Sequence, residues 1–191
     1  MERELLMTGI GGQGIQLAAQ VVARAALAEG RQVQLFGSYG GMMRGGNTEA
    51  TLVMADGPIE APPTVSQAWS AILMHHDYSA ATVASLRPGS VAYVNSTVFE
   101  ADLDRDRYLV VDVPATELAI GVGNIVAASM VMVGAYAAGT GLVGLDALVD
   151  AVTRSLPTYR SQHVALNSAA LRAGYAAGPL DVAPAWGRVP A

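Results

Sequence analysis

The chain has no cysteine and no lysine; all 11 of its basic residues are arginine. The first absence excludes disulfides, a thiol nucleophile and any iron–sulfur cluster held on this chain's own thiolates. The second excludes a Schiff-base lysine and the lysine of a P-loop. Charge of either sign is scarce, at 14% of residues, with a net value of −5. An acidic balance gives no electrostatic footprint for nucleic acid. Between Leu118 and Leu145 there is no charged residue at all. That run is long enough to raise a membrane span, but Asn124, Ser129 and Tyr136 interrupt it, and no arginine or tryptophan flanks it. It predicts a buried helix from about Asn124 to Ala138, whose small residues suit close packing. The opening residues "MERELLMTG" carry acids and run straight into a strand pattern, so no signal peptide is read there and the expected location is cytoplasmic, without a membrane.

What the chain does have is apolar surface, at 52% of its 191 residues, and 21 glycines. That is enough material for one sizeable core. "ELLMT" reads as a buried strand, residues 15–29 as a helix stopping at Gly30, and "QVQLF" as a second strand. "TEATLVMA" alternates like a strand with one covered face. Too little chain separates it from its predecessor for a helix, so it is expected to be non-parallel. "SAILMHH", "SVAYVNS" (after the turn "RPGS") and "YLVVDVP" read as further strands, and helices are expected over 115–121, 124–138, 144–154 and 164–177. Strands alternating with helical crossovers predict an α/β fold, Rossmann-like and three-layered, with a mostly parallel sheet and helices on both faces. We read one domain over 1–178. The Pro-rich tail 179–191 is expected to drape on a neighbour or to be disordered.

Two glycine segments stand out. Gly9-x-Gly11-x-x-Gly14 lies between a strand and a helix, the context in which such a turn brings backbone N–H groups close to an anion. Three readings stay open for it: contact with an anionic cofactor tail, packing or subunit contact, and binding of NAD. The third is disfavoured, because "QVQLFGSYG" offers no Asp or Glu at the end of the second strand for a ribose. The second segment, "SYGGMMRGGNTEA", would face the first turn across the strand ends. Its Arg44 could hold a phosphate or carboxylate bidentately, or simply be solvated.

Read together, "GIGGQGI", "YGGMMRGG" and "GNIVAASMVMVGAYAAGTGLV" resemble the gamma subunit of the 2-oxoacid:ferredoxin oxidoreductases, over most of residues 4–177. These enzymes act on pyruvate, 2-oxoglutarate, branched-chain oxoacids, indolepyruvate or aryl-glyoxylates. The resemblance implies a non-catalytic but required subunit of an enzyme that converts a 2-oxoacid to an acyl-CoA. Thiamine diphosphate, magnesium and the iron–sulfur clusters would sit in alpha, beta and ferredoxin-like delta partner subunits. Ferredoxin, or NAD through a flavoprotein, would accept the electrons. The gamma part would pack on these partners and help hold coenzyme A. On that reading Gly9, Gly11, Gly12, Gln13 and Gly14 face coenzyme A phosphates or a partner loop. Tyr39, Gly40, Arg44, Gly45 and Gly46 point toward the catalytic subunits. Asn124 matches an asparagine before the family's long apolar helix, where it would act as a cap. The family's second loop often carries Pro and a polar residue where this chain has Gly41-Met42-Met43, which points to a more apolar neighbour such as an aromatic substrate channel.

The remaining candidates read as structural. His75 and His76 end a strand, and adjacent side chains of a strand point to opposite faces. Arg160 and His163, in "LPTYRSQH", read as surface or interface. Asp77 and Asp112 have no second carboxylate at a defined spacing, so no catalytic pair and no metal site are expected. A free-standing NAD(P)-binding protein and a scaffold that touches no cofactor are the competing readings.

Overall fold

A computed structural model describes residues 1–39, 45–60, 64–180 and 182–187, apart from the side chains of Ser38, Tyr39 and Thr158. Six strands form one sheet: β1 (Glu2–Ile10), β2 (Gln32–Tyr39), β3 (Asn47–Ala55), β4 (Ala68–Leu73), β5 (Leu86–Asn95) and β6 (Leu109–Val113). Their spatial order is β2-β3-β1-β4-β5-β6. β3 runs antiparallel to β1 and β2, while β1, β4, β5 and β6 run parallel to one another. The non-parallel strand is thus where the short connection predicts it. The sheet is mostly parallel and the α/β reading holds.

Among the described residues six α-helices complete the fold: α1 (Ile15–Ala28), α2 (Ser79–Ala84), α3 (Ala115–Val122), α4 (Ala128–Thr140), α5 (Leu145–Ser155) and α6 (Val164–Ala177). Alternation along the strands sends Leu5, Leu52 and Tyr93 to one face, where α1 and α4 to α6 build the main core. Leu6, Ala71 and Ala92 go to the other face, under the short α2 and the 96–108 segment.

The charge-free stretch becomes α4, all 13 residues of which are buried. It starts later than expected, because a 3-10 turn at Ile125–Ala127 comes first. No helix among the described residues is long and apolar enough to cross a membrane. α4 presses against α6 backbone to backbone. A β-carbon on Gly134 would come within 2.8 Å of Tyr175 N, and one on Gly174 within 2.8 Å of Val131 Cα. Only glycine allows that approach. On its other side α4 carries Tyr136, whose ring meets Tyr93 edge-to-face at 5.2 Å. The Tyr136 hydroxyl donates to Ser70 Oγ at 2.8 Å, and Ser70 in turn donates to Glu4 O.

Two local expectations differ. "RPGS" lies inside β5 rather than before it: the register shifts between Ala68 and Ser70, and Gly89, at φ 79°, makes the irregularity possible. Ser90 Oγ then bonds Ala68 O and Arg87 O, which fastens the bulge to β4. The tail, expected to drape on a neighbour or be disordered, lies on its own body over residues 182–187. Ala183 and Ala185 N–H donate to Gly139 and Thr140 carbonyls, and Trp186 Nε1 donates to Leu142 O. The Arg31 guanidinium stacks 4.0 Å from the Trp186 ring centroid. A charge-poor body leaves apolar surface for such a tail to cover.

Candidate functional site

β1 ends at Ile10 and α1 starts at Ile15, so the first glycine turn occupies the carboxyl edge of the sheet. Gly12 and Gly14 have φ of 109° and 76°, backbone that glycine adopts without strain. Gly9 serves packing instead: a β-carbon there would meet Ile15 Cδ1 and Met74 Cβ at 3.1 Å. Gln13 folds back, its Oε1 accepting the Ile10 N–H at 2.9 Å while its Nε2 reaches Met74 O at 3.4 Å. That side chain latches the turn to β4. Among the described residues no side chain caps the first turn of α1, the positive end of a 14-residue helix.

The second glycine segment meets the first because β3 pairs with β1, Ile10 opposite Asn47. Gly11 N–H donates to Gly46 O at 2.8 Å, and Gly45 has φ 87°. Tyr39 closes β2. Gly40 and Arg44 lie outside the described residues. The first turn borders the switch point of the sheet, between β1 and β4, where open α/β sheets bind ligands, and Gly45 and Gly46 lie on its β3 side. The NAD reading loses further ground here, since β3 stands between β1 and β2.

The structure also gathers residues that sequence spacing kept apart. A cleft of about 240 Å³ opens between Gly14 and Leu17 of α1, Asn124 to Met130 at the start of α4, and Arg160, His163 and Asn167. Asn124 caps its turn, Oδ1 accepting Val126 N–H at 3.0 Å. Gly14 is held close to α4, a β-carbon there falling 2.9 Å from Ser129 Oγ. Arg160 and His163 come from a 3-10 helix at Thr158–His163, fastened to α6 by Asn167 Nδ2 donating to His163 O at 2.8 Å. Arg160 takes part in none of the ion pairs between described residues. Ile120, Ile125 and Val126 are all exposed, and Val126 lines the cleft. The sequence signal for this cleft was weak, because nothing in "LPTYRSQH" tells that it packs beside the glycine turn.

His75 and His76 also differ from expectation. β4 stops at Leu73, so strand alternation no longer governs them, and their rings lie together, with centroids 4.3 Å apart.

A family model described as pyruvate ferredoxin/flavodoxin oxidoreductase matches residues 4–177. The chain belongs to this family. Its likeness to the family's gamma subunits holds as well. The 2-oxoglutarate synthase subunit KorC of Methanothermobacter thermautotrophicus is 33% identical over 164 residues, covering 82% of this chain and 86% of that one. The crystal structure of the keto/oxoacid ferredoxin oxidoreductase gamma subunit from Geobacter sulfurreducens superposes with a TM-score of 0.78 at 28% identity, covering 93% and 96% of the two chains. A 2-oxoglutarate:ferredoxin oxidoreductase from Magnetococcus marinus, solved with 2-oxoglutarate, coenzyme A and succinyl-CoA bound, shares the fold at a TM-score of 0.80 and 16% identity. The match there covers 96% of this chain and 33% of that longer one.

Proposed function

We propose that this chain is the gamma subunit of a thiamine-diphosphate- and iron–sulfur-dependent enzyme that oxidatively decarboxylates a 2-oxoacid to an acyl-CoA. In this reading it is cytoplasmic, carries no catalytic group, and packs on alpha, beta and delta subunits. Thiamine diphosphate, magnesium and the clusters belong to those partners, and ferredoxin or an NAD-linked flavoprotein takes the electrons. Coenzyme A, when bound, supplies the thiol that accepts the acyl group. The role of this chain is to help hold it.

The observation that carries the coenzyme A assignment is the cleft beside the glycine turn. It combines the uncapped positive end of α1, the Arg160 guanidinium and an apolar wall of Leu17, Val126 and Met130. Phosphate and alkyl groups on one ligand match those two halves. At about 240 Å³ the cleft is smaller than the roughly 300–1,000 Å³ of a self-sufficient small-molecule site, which fits a site completed by partner subunits. Gly9, Gly11, Gly12, Gln13 and Gly14 shape the floor of the edge. Gly45 and Gly46 stand beside that turn, Gly46 O accepting the Gly11 N–H, and the family resemblance assigns Tyr39, Gly40, Arg44, Gly45 and Gly46 a role toward the catalytic subunits. The exposed Ile120, Ile125 and Val126 offer apolar surface for docking them.

The test is the assembled complex with Arg160→Ala or Arg44→Ala in this subunit. A charge-assisted bond to phosphate contributes about 1.5–3 kcal/mol, so each loss should raise the KM for coenzyme A roughly ten- to a hundredfold. The KM for the 2-oxoacid should stay within about twofold. If both variants keep the wild-type dependence on coenzyme A, this chain does not hold it. If the protein from its native source is a lone monomer that binds NADH, the subunit assignment itself fails.

A further inference from the structure

The segment after β4 reads Met74-His75-His76-Asp77-Tyr78, and α2 begins at Ser79. Its ligand-bearing atoms are drawn together: one from each of His75, His76 and Asp77 lies within 4.8 Å of the others. We propose that His75, His76 and Asp77 form a binding site for a first-row transition-metal dication such as Zn²⁺, separate from the cleft at Arg160.

Each histidine nitrogen stands near a different oxygen of the Asp77 carboxylate, and an ion would draw the three donors closer than their present 4.8 Å span. Tetrahedral zinc, with ligand bonds of about 2.0–2.2 Å, sets its donors roughly 3.4 Å apart. Here His75 Nδ1 lies 3.6 Å from Asp77 Oδ2, and His76 Nε2 lies 3.7 Å from Asp77 Oδ1.

The hydrogen bonds leave the right nitrogens bare of protons. His76 Nδ1 sits 3.2 Å from Val98 O, a partner that can only accept, so the proton belongs on Nδ1 and the lone pair on Nε2. A second contact to the same nitrogen, Glu100 N–H at 3.4 Å, is longer and requires the other tautomer. An imidazole oriented by a backbone carbonyl through its far nitrogen is the usual support of a metal-bound histidine. His75 Nδ1 accepts the Asp77 N–H at 3.1 Å, so its lone pair too points toward Asp77. The ion replaces that N–H as its partner.

Two features of the surroundings agree. Tyr78, at φ 65°, is the one non-glycine residue of positive φ among the described residues, and it follows directly on the three ligands. Backbone of this kind is sustained where surrounding structure enforces it, and it concentrates at binding sites. His76 also lines a cleft of about 500 Å³ together with Asp102, Asp104, Arg107 and Tyr108. Two carboxylates against one guanidinium leave that cleft with a negative balance, and it would give the fourth coordination position room for water or an anionic group. Three protein ligands with one open position is the arrangement of exchangeable rather than purely structural zinc.

The experiment uses the tag-free chain, stripped of metal with a chelator, titrated with Zn²⁺ by calorimetry and with Co²⁺ by its visible absorption. One ion per chain is expected. His75→Ala and His76→Ala should each weaken binding at least about tenfold. Asp77→Asn, at a side chain exposed by 60%, changes the ligand set with no burden on folding and should weaken binding as well. His163→Ala, the third histidine, should leave it unchanged. Circular dichroism of each variant separates lost binding from lost structure. Absence of saturable binding, or equal affinity in His75→Ala, His76→Ala and Asp77→Asn, overturns the proposal.

Discussion

Replacing Gly174 by alanine should destabilise the protein even though alanine is the better helix former. The new β-carbon would come within 2.8 Å of Val131 Cα and closer still to its carbonyl, both backbone of α4. Carbon pairs rest at about 3.5–4.0 Å, so α6 has to retreat by about 1 Å. No side chain can rotate to relieve this, because the obstacle is main chain. Overpacking of this kind costs about 3 kcal/mol, the upper end of the usual range. Relief of glycine's entropy in a helix returns about 1 kcal/mol. The net loss is about 2 kcal/mol, which in a chain of this length lowers Tm by about 4–8 °C. Gly121→Ala is the control. It adds the same methyl in α3, where none of the described residues lies within 4 Å, and should be neutral or slightly stabilising. Thermal and denaturant unfolding of both variants measure the difference. A Gly174→Ala protein as stable as wild type, or a Gly121→Ala protein destabilised as much, would refute the backbone-to-backbone account of α4 and α6. The same retreat should widen the cleft at Arg160, since α4 and α6 supply Ser129 and Asn167 to its walls.

The two core tyrosines should respond in opposite senses to loss of their hydroxyls. Tyr136→Phe removes the bond to Ser70 and should cost about 1 kcal/mol, whereas the buried Tyr93 hydroxyl has no partner among the described residues, so Tyr93→Phe should be neutral or stabilising by up to about 1 kcal/mol; denaturant midpoints decide. Both phenols are also harder to ionise than usual. Burial pushes Tyr93 up to about 12 and Tyr136 further. The unfolded chain releases these protons near pH 10 and the folded chain keeps them, so stability is intact below about 10 and falls as pH rises toward about 12. Unfolding free energy followed from pH 9 upward should decline less steeply in the double variant Tyr93→Phe/Tyr136→Phe, and an unchanged slope would assign alkaline sensitivity to other groups.

Much of the fold was legible because its signals are local. β1, α1 and their turn follow from an apolar run, helical spacing and glycines within one short segment, and β3's direction followed from chain length alone. The charge-free run gave a buried helix because a stretch without charge has to be enclosed. What escaped depends on tertiary context. The bulge at Gly89 belongs to pairing with β4, which no periodicity in "RPGS" reveals. His75 and His76 were assigned opposite faces on the assumption that β4 continued through them. It stops two residues earlier, where Met74 N–H still reaches Thr8 O but the chain then turns away. Arg160 arrives at the glycine turn only through the packing of α6 on α4, across more than a hundred residues of sequence.

The position of β3 has a consequence for reading glycine fingerprints in general. The rule that an acidic residue follows such a turn by about 20 residues counts along the chain, but a ribose measures across the sheet. Neighbouring strands are about 4.8 Å apart, so inserting one strand moves the end of β2 from about 5 Å to about 10 Å away from the end of β1. An acid placed there would lie beyond reach of a sugar anchored at Gly11. A single reversed strand thus keeps the half of the cradle that meets phosphate and removes the half that meets the second ribose. The fingerprint survives in the sequence while the distance that gave it its dinucleotide meaning has doubled.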